Sequence, residues 1–209
     1  MKKLLTLAFL TLLHCTASAT DINKIAATAD EVSPVLNGQM IPDATLYDLD
    51  DKPVSLKSLV SQQPTVLIFY RGGWCPYCSA QLAGLKQVEQ QIMALGYQLI
   101  AISPDSPAKL KDTAFETDFK VKLYSDKNFE VSSEFGIGFF LADKTAKRYR
   151  NKMGIEFVTL DGTSKVALPV PAVYIADTEG LVHFNYVNPN FRVRISPELL
   201  YQAAKTLAL

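Results

Sequence analysis

The residues able to do chemistry are concentrated in one string, Arg71-Gly72-Gly73-Trp74-Cys75-Pro76-Tyr77-Cys78. Two cysteines separated by two residues close too small a loop to act as an entropic staple. Such a pair reads as a redox couple or as metal ligands. Its context favours redox. The run Thr65 to Tyr70, TVLIFY, suits a strand buried on both faces. Gly72-Gly73 supplies a turn, and a helix is expected from the first cysteine onward, with Pro76 where a first-turn proline is welcome. Unpaired N–H groups and the helix dipole at such an N-terminus stabilise a thiolate, which makes a cysteine a nucleophile near neutral pH. Cys75 falls at or beside the N-cap and Cys78 in the first turn. Side chains three apart share a helix face, so the sulfurs can meet. One attacks and the other resolves the mixed disulfide, a complete dithiol–disulfide cycle in four residues.

Other chemistries fit less well. Beyond residue 19 the chain holds two cysteines and one histidine, His183, so a four-ligand zinc site would need carboxylates. A c-type haem needs histidine directly after the second cysteine, where Ser79 stands. A Cys–His hydrolase would need His183 near Cys75, whereas Val182-His183-Phe184 reads as ordinary strand. The binding-protein alternative is a delivery site holding Cu(I) on the two thiolates. Arg71 either lowers a thiolate pKa or is a solvated charge at a strand end. Trp74, beside the cysteines, offers a docking surface compatible with partial burial.

The elements that must position this string alternate between strand and helix. Residues 21–40 look partly helical from Ile22, Ile25, Ala26, Ala29 and Val32, until Pro34 and Gly38. Residues 44–60 read as strand, Asp-Asp-Lys-Pro turn, strand and a short helical turn. The helix after Cys75 is expected to run unbroken to Gly96, with Leu82, Leu85, Val88, Ile92 and Leu95 as its apolar stripe. A strand over 97–103, a helix over 106–118, a strand over 121–125 and a helical turn over 128–135 follow. Residues 139–165 form a longer connection whose Lys144, Lys147, Arg148, Arg150 and Lys152 read as a solvated helix face, with partner docking as the minority reading. Residues 172–176 and 181–187 pair as a hairpin, and 196–207 close the chain as an amphipathic helix. The pattern predicts an α/β fold with a mixed sheet.

The N-terminus sets the compartment. Lys2 and Lys3 precede an apolar run of about ten residues, Leu4 to Leu13, and a small-x-small site, Ala17-Ser18-Ala19. That is a secretory signal peptide with cleavage expected after Ala19. The run is too short for a membrane span, which needs roughly twenty residues. Lipidation at Cys15 is disfavoured by the bulk of His14. The 209-residue chain has 21 basic and 21 acidic side chains, and losing the two leader lysines leaves a slight acidic excess. No field of that size points to nucleic acid or an anionic membrane. At 48% hydrophobic and 20% charged residues, the composition excludes a disordered chain and a polytopic membrane protein.

The string FYRGGWCPYC, with the ATLYDLDDKPVSL hairpin and the PVPAVYIADTEGLVHF segment, resembles the peroxiredoxin-like branch of the alkyl hydroperoxide reductase/thiol-specific antioxidant family. The resemblance spans Ile41 to the C-terminus and implies a thioredoxin-like fold. That fold has a central mixed sheet flanked by helices, an N-terminal β-hairpin extension and an insertion before the strand that follows a cis-proline. The chain then divides into a leader at 1–19, a segment at 20–40 and one domain at 41–209. The resemblance places the cis bond at Val170–Pro171, with Trp74, Pro76, Tyr77, Val170 and Pro171 shaping a substrate groove. Laid on the family's Pro-x-x-x-Thr-x-x-Cys motif, Arg71 takes the proline place, Cys75 the threonine place, and Cys78 that of the peroxidatic cysteine. The family's later arginine falls on Pro171, and the buried acid of thioredoxins falls on Phe69. The implied activity is thiol-dependent peroxide reduction, with protein-disulfide reduction as the alternative and Arg71 as an electrostatic helper at Cys75 and Cys78. Loss of the threonine and arginine implies slow peroxide chemistry. Implied partners are a peroxide or protein disulfide as oxidant and a thiol protein or small thiol as reductant. No metal or organic cofactor is expected, and no stable membrane insertion after cleavage.

Overall fold

The computed structural model describes residues 20–117, 120–153, 155, 157, 160 and 164–209. The expected leader lies outside them. The partly helical character expected over 21–40 takes the form of two 3₁₀ turns, Ile22–Lys24 and Ala29–Glu31. The segment is held by backbone pairing. Ala26 exchanges hydrogen bonds with Gly138 and Phe140, and Ser33 and Val35 donate to Gly136 and Phe135.

Next come β1 (Thr45–Tyr47), β2 (Pro53–Ser55), α1 (Leu56–Val60), β3 (Thr65–Phe69), α2 (Pro76–Leu85) and α3 (Glu89–Ala94). They are followed by β4 (Gln98–Ser103), α4 (Pro107–Thr117), β5 (Lys122–Ser125), α5 (Glu130–Glu134), β6 (Gly138–Leu141) and α6 (Asp143–Met153). The chain ends with β7 (Val166–Pro169), β8 (Ala172–Ala176), β9 (Val182–Val187) and α7 (Pro197–Leu207). Seven strands form one mixed sheet in the order β2-β1-β5-β4-β3-β8-β9, and β6 and β7 form a separate antiparallel pair. At its centre β3, β4 and β5 are parallel, and β8 runs antiparallel to β3.

Alternation along β3 assigns its side chains to two layers. Val66 and Ile68, with Tyr70 just beyond, face the layer that contains Leu82, Leu85, Val88, Ile92 and Leu200 from α2, α3 and α7. Leu67 and Phe69 face Leu56, Leu59, Val131 and Phe135 from α1 and α5. Every residue of β3, β4 and β8 is buried, as the continuous apolar runs require.

The helix expected from 75 to 96 is broken. The stripe is intact, with Leu82, Leu85, Val88 and Ile92 buried and Leu95 packed against them. Between α2 and α3, however, Gln87 and Val88 donate to the carbonyls of Gly84 and Leu85 three residues back. This tighter turn re-aims the axis, so that α3 also packs on α7. The 139–165 connection carries most of β6 and the helix α6, and leads into β7. Its basic side chains Lys144, Lys147, Arg148, Arg150 and Lys152 are exposed.

The expected cis bond at Val170–Pro171 is a further correction, because there is no cis peptide among the described residues. Val170 and Pro171 bridge β7 and β8, and both are tethered in passing. Val170 N–H donates to the Ile137 carbonyl at 2.9 Å, and the Pro171 carbonyl accepts from Asn188 N–H at 3.0 Å. A chain running from one strand directly into another lacks the tight turn in which cis-proline usually sits.

Helix α7 matters to the site because the loop before it returns to α2. Leu200 is its fully buried anchor. Leu200→Ala should cost about 2–5 kcal/mol, read as a lower urea midpoint with an unchanged slope; a loss under about 0.5 kcal/mol would show that α7 is not held by this contact.

Candidate active site

β3 delivers the chain to a turn that only glycine can make. Gly72 has φ +142°, and a Cβ there would lie 2.3 Å from Trp74 Nε1 and 2.7 Å from Asp105 Oδ1. Gly73 N–H donates to Asp105 Oδ2 at 2.7 Å. Asp105 is buried just past the C-terminal end of β4, and burial raises its pKa above the usual carboxylate range. The turn places Cys75 at the N-cap of α2, with Pro76 as the first helical residue. Cys78 N–H and Ser79 N–H close the first turn onto the Cys75 carbonyl at 2.9 and 3.0 Å.

Both cysteines are free and buried, Cys75 being 2% and Cys78 0% exposed. Their side chains are hydrogen-bonded to each other. The Cys78 thiol donates to Cys75, and this is the largest cause holding the Cys75 pKa down to about 6 against its own burial. Cys78 N–H and the guanidinium groups of Arg71 and Arg194 act in the same direction. For Cys78 the same hydrogen bond, then burial, push the pKa far above that of an ordinary thiol. Two neighbouring thiolates repel, so ionising one sulfur of the pair disfavours ionising the other.

Arg71 is not solvated as a strand-end charge would be, and among the described residues it has no ion-pair partner. It is 2% exposed, and its guanidinium carbon lies 4.5 Å from the Phe191 ring centre, 5.1 Å from that of Trp74 and 5.8 Å from that of Tyr149. Aromatic faces therefore stand in for water around the cation. Its Nε has no hydrogen-bond partner. Trp74 is half-buried, packed edge-on against Phe157 and tilted against Tyr149, so the β6–β7 insertion covers one side of the site. Tyr77 is 41% exposed and meets Phe191 edge to face, forming the opposite rim.

Of the expected groove residues, Val170 does not line the cysteine face. It is fully buried in the other layer, with Phe69, Phe135 and Tyr174. Pro171 is buried, one register step beyond the Phe69–Ala172 pair and thus opposite Tyr70. His183 is far from the cysteines by topology. It hydrogen-bonds Asp177 at 2.8 Å beside the β8–β9 turn, at the end of the sheet where β3 begins.

Sequence reasoning missed Arg194, Gln81 and Asp105. Arg194 Nη2 donates to Cys78 Sγ at 3.3 Å, while Nη1 donates to Gln81 Oε1 at 2.9 Å and Nε to the Phe191 carbonyl at 3.0 Å. Nothing in the spacing of Asn-Phe-Arg-Val-Arg signals this. Asp105 was findable in principle, since it follows the carboxyl end of a central parallel strand, where site residues gather.

The AhpC/TSA family model matches residues 37–185, most of the chain. The chain belongs to the AhpC/TSA family. Among its relatives, Peroxiredoxin Bcp of Escherichia coli is 28% identical over 106 residues, covering 51% of this chain and 67% of that protein. Peroxiredoxin Q, chloroplastic, of Triticum aestivum is 28% identical over 165 residues, covering 79% and 65%. In structure, the chain is similar to peroxidoxin BcpB from Mycobacterium tuberculosis, with TM-score 0.61 and 21% identity over 82% of this chain and 95% of that one. It is also similar to reduced Prx3 from Vibrio vulnificus, with TM-score 0.66 and 19% identity over 82% and 99%. These likenesses establish the thioredoxin-like peroxiredoxin fold expected from the GGWCPYC string.

A depressed Cys75 pKa makes the thiolate fraction rise with pH through a low midpoint. Alkylation of the reduced AhpC/TSA protein by iodoacetamide should have its midpoint near pH 6, against roughly 8.5 for a free cysteine. Arg71→Met should move it upward by removing one attractive charge. A wild-type midpoint near that of a free cysteine would contradict the electrostatics described.

Proposed function

We propose that this protein is a thiol-dependent antioxidant oxidoreductase that reduces peroxides by cycling Cys75 and Cys78 between dithiol and disulfide. The observation that carries the reading is a pair of free, buried cysteines one helical turn apart at the start of α2, with Arg194 Nη2 3.3 Å from Cys78 Sγ and the caged Arg71 guanidinium close by. Membership of a peroxiredoxin family favours a peroxide over a protein disulfide as the oxidant.

The chemistry balances within the pair. The Cys75 thiolate attacks one peroxide oxygen, the O–O bond breaks, and the alkoxide or hydroxide leaves with a proton as alcohol or water. Cys75 is then a sulfenic acid. Cys78 attacks its sulfur, the S–O bond breaks, and hydroxide leaves as water once protonated. The Cys75–Cys78 disulfide results, and two reductant thiols restore the dithiol. The family motif aligns Cys78 with the attacking cysteine. Here the negative charge favours Cys75, because Cys78 holds the proton between them. No threonine hydroxyl assists at Cys75, and the oxidant's departing oxygen must find its donors among Cys78, Arg71 and solvent.

The leader reading adds a compartment. Cleavage after Ala19 would release the protein as a secreted or periplasmic enzyme, where a buried vicinal pair needs a dedicated thiol reductant to stay reduced.

Two measurements check these statements. Hydrogen peroxide with a sulfenic-acid trap should label Cys75 in the Cys78→Ser variant much faster than a free cysteine reacts. Faster labelling of Cys78 in Cys75→Ser would reverse the assignment, and free-thiol rates in both variants would sink the peroxidase. The exported protein should begin at Thr20 by mass spectrometry; a retained leader or a lipid on Cys15 would overturn export by cleavage.

A further inference from the structure

Among the described residues, Arg194 is the one guanidinium hydrogen-bonded to a cysteine sulfur. It comes from the loop between β9 and α7, 116 residues beyond Cys78. Its fork is fixed before it reaches the sulfur. Nε is tied to the Phe191 carbonyl and Nη1 to Gln81 Oε1, which leaves Nη2 aimed at Cys78 Sγ at 3.3 Å. Gln81 is itself buried on α2, one turn after Cys78. The guanidinium is therefore held by the same helix that carries the sulfur. Arg71 differs in kind, since it is caged by aromatic faces and its Nε is unpartnered.

A protonated thiol is a weak acceptor, so in the dithiol state the Nη2 contact is a modest one. Its strength changes once Cys78 becomes anionic, when it turns into a charge-assisted hydrogen bond. That happens when the disulfide opens with Cys78 as the leaving sulfur. We propose that Arg194 is a catalytic residue of the reductive half-cycle. Its guanidinium stabilises the departing Cys78 thiolate and thereby directs the incoming reductant to Cys75. A reductant thiolate attacks Cys75 Sγ. A bond forms between the reductant sulfur and Cys75, the Cys75–Cys78 bond breaks, and the electron pair leaves on Cys78 under Nη2. A second reductant thiol then displaces Cys75 from the mixed disulfide, and its proton is taken into the Cys75–Cys78 pair. Lowering the leaving thiol's basicity speeds exchange, so one side chain sets both rate and direction. The inference rests on the reading of the two cysteines as a redox couple, and holds whichever oxidant forms the disulfide.

The test uses the oxidised full-length mature protein and glutathione. Reduction is followed by Trp74 fluorescence, and acid-quenched samples are mapped for the glutathionylated cysteine. Wild type should carry glutathione on Cys75. Arg194→Gln should be reduced roughly tenfold more slowly, the size expected for one lost charge-assisted hydrogen bond, with glutathione divided between both cysteines. Arg194→Lys, which keeps the charge without the fork, should restore the preference for Cys75 at an intermediate rate. A merely structural arginine would not move the site of the mixed disulfide. Wild-type rate and Cys75-only labelling in folded Arg194→Gln would overturn the proposal. If that variant fails to fold, Gln81→Leu, which releases one tie of the fork, should give a smaller slowing in the same direction; an unchanged rate and site there would overturn it equally. Because peroxide is absent from this assay, failure here is distinguishable from failure of the peroxidase reading.

Discussion

The hydrogen bond from Gly73 N–H to the buried Asp105 carboxylate ties the end of β3 to the end of β4, and the site follows from it. The Asp105 carbonyl in turn accepts from Ser125 Oγ at 2.6 Å, so the end of β5 is tied in as well. Three parallel strands are thus laced together at their carboxyl ends, and α2 must start from that one point. Gly72 can adopt its left-handed φ and bring backbone within reach of Asp105 only because it lacks a Cβ. Asp105 bears the cost of burial for this service, which is why its pKa is raised while it still accepts the Gly73 N–H. Break this link and the Cys75 N-cap, the Cys75–Cys78 hydrogen bond and the approach of both arginines lose their common reference.

The local charge balance then explains how a chain with equal numbers of acids and bases can hold an acidic thiol. The guanidinium groups of Arg71 and Arg194 both lower the Cys75 pKa, while burial raises that of Asp105, the carboxyl that holds the turn before Cys75. Arg71 and Arg194 solve the problem of burying a cation differently. Arg71 sits among ring faces, which supply attraction without fixing direction. Arg194 is half-exposed and keeps three directed bonds. One therefore acts through space on the pair, and the other distinguishes between its members.

The site string was legible because its signals are local. A buried strand, a glycine turn and a first-turn proline sit within a dozen residues, and they located Cys75 at the N-cap. The strands β3, β4 and β8 were legible for the same reason, each being a continuous apolar run. What escaped the sequence depends on distant chain returning to the site. Arg194 lies beyond β9 in an unpatterned loop. Gln81 reads as one more polar helix residue until Arg194 occupies it. The break after Leu85 does not disturb the apolar stripe, because a tighter turn of three residues keeps Leu85 and Val88 on the same side. The expected cis bond failed because it was carried by resemblance at a place where this chain links β7 to β8 with both neighbouring groups already hydrogen-bonded.

Burial of both sulfurs constrains what can meet them. A Cys75 only 2% exposed, behind Trp74 and the β6–β7 insertion on one side and the Tyr77–Phe191 pair on the other, leaves room for a small oxidant sooner than for a folded protein. The fixed side is aromatic on aromatic, with Trp74, Tyr149 and Phe157 packed together. The other side rests on one edge-to-face contact and a half-exposed ring, so opening there loses less buried apolar area. Phe191 belongs to this less enclosed wall through Tyr77, and its ring faces Arg71 while its carbonyl holds Arg194. The wall and the electrostatics of the two sulfurs therefore meet in a single aromatic residue, which contacts both arginines.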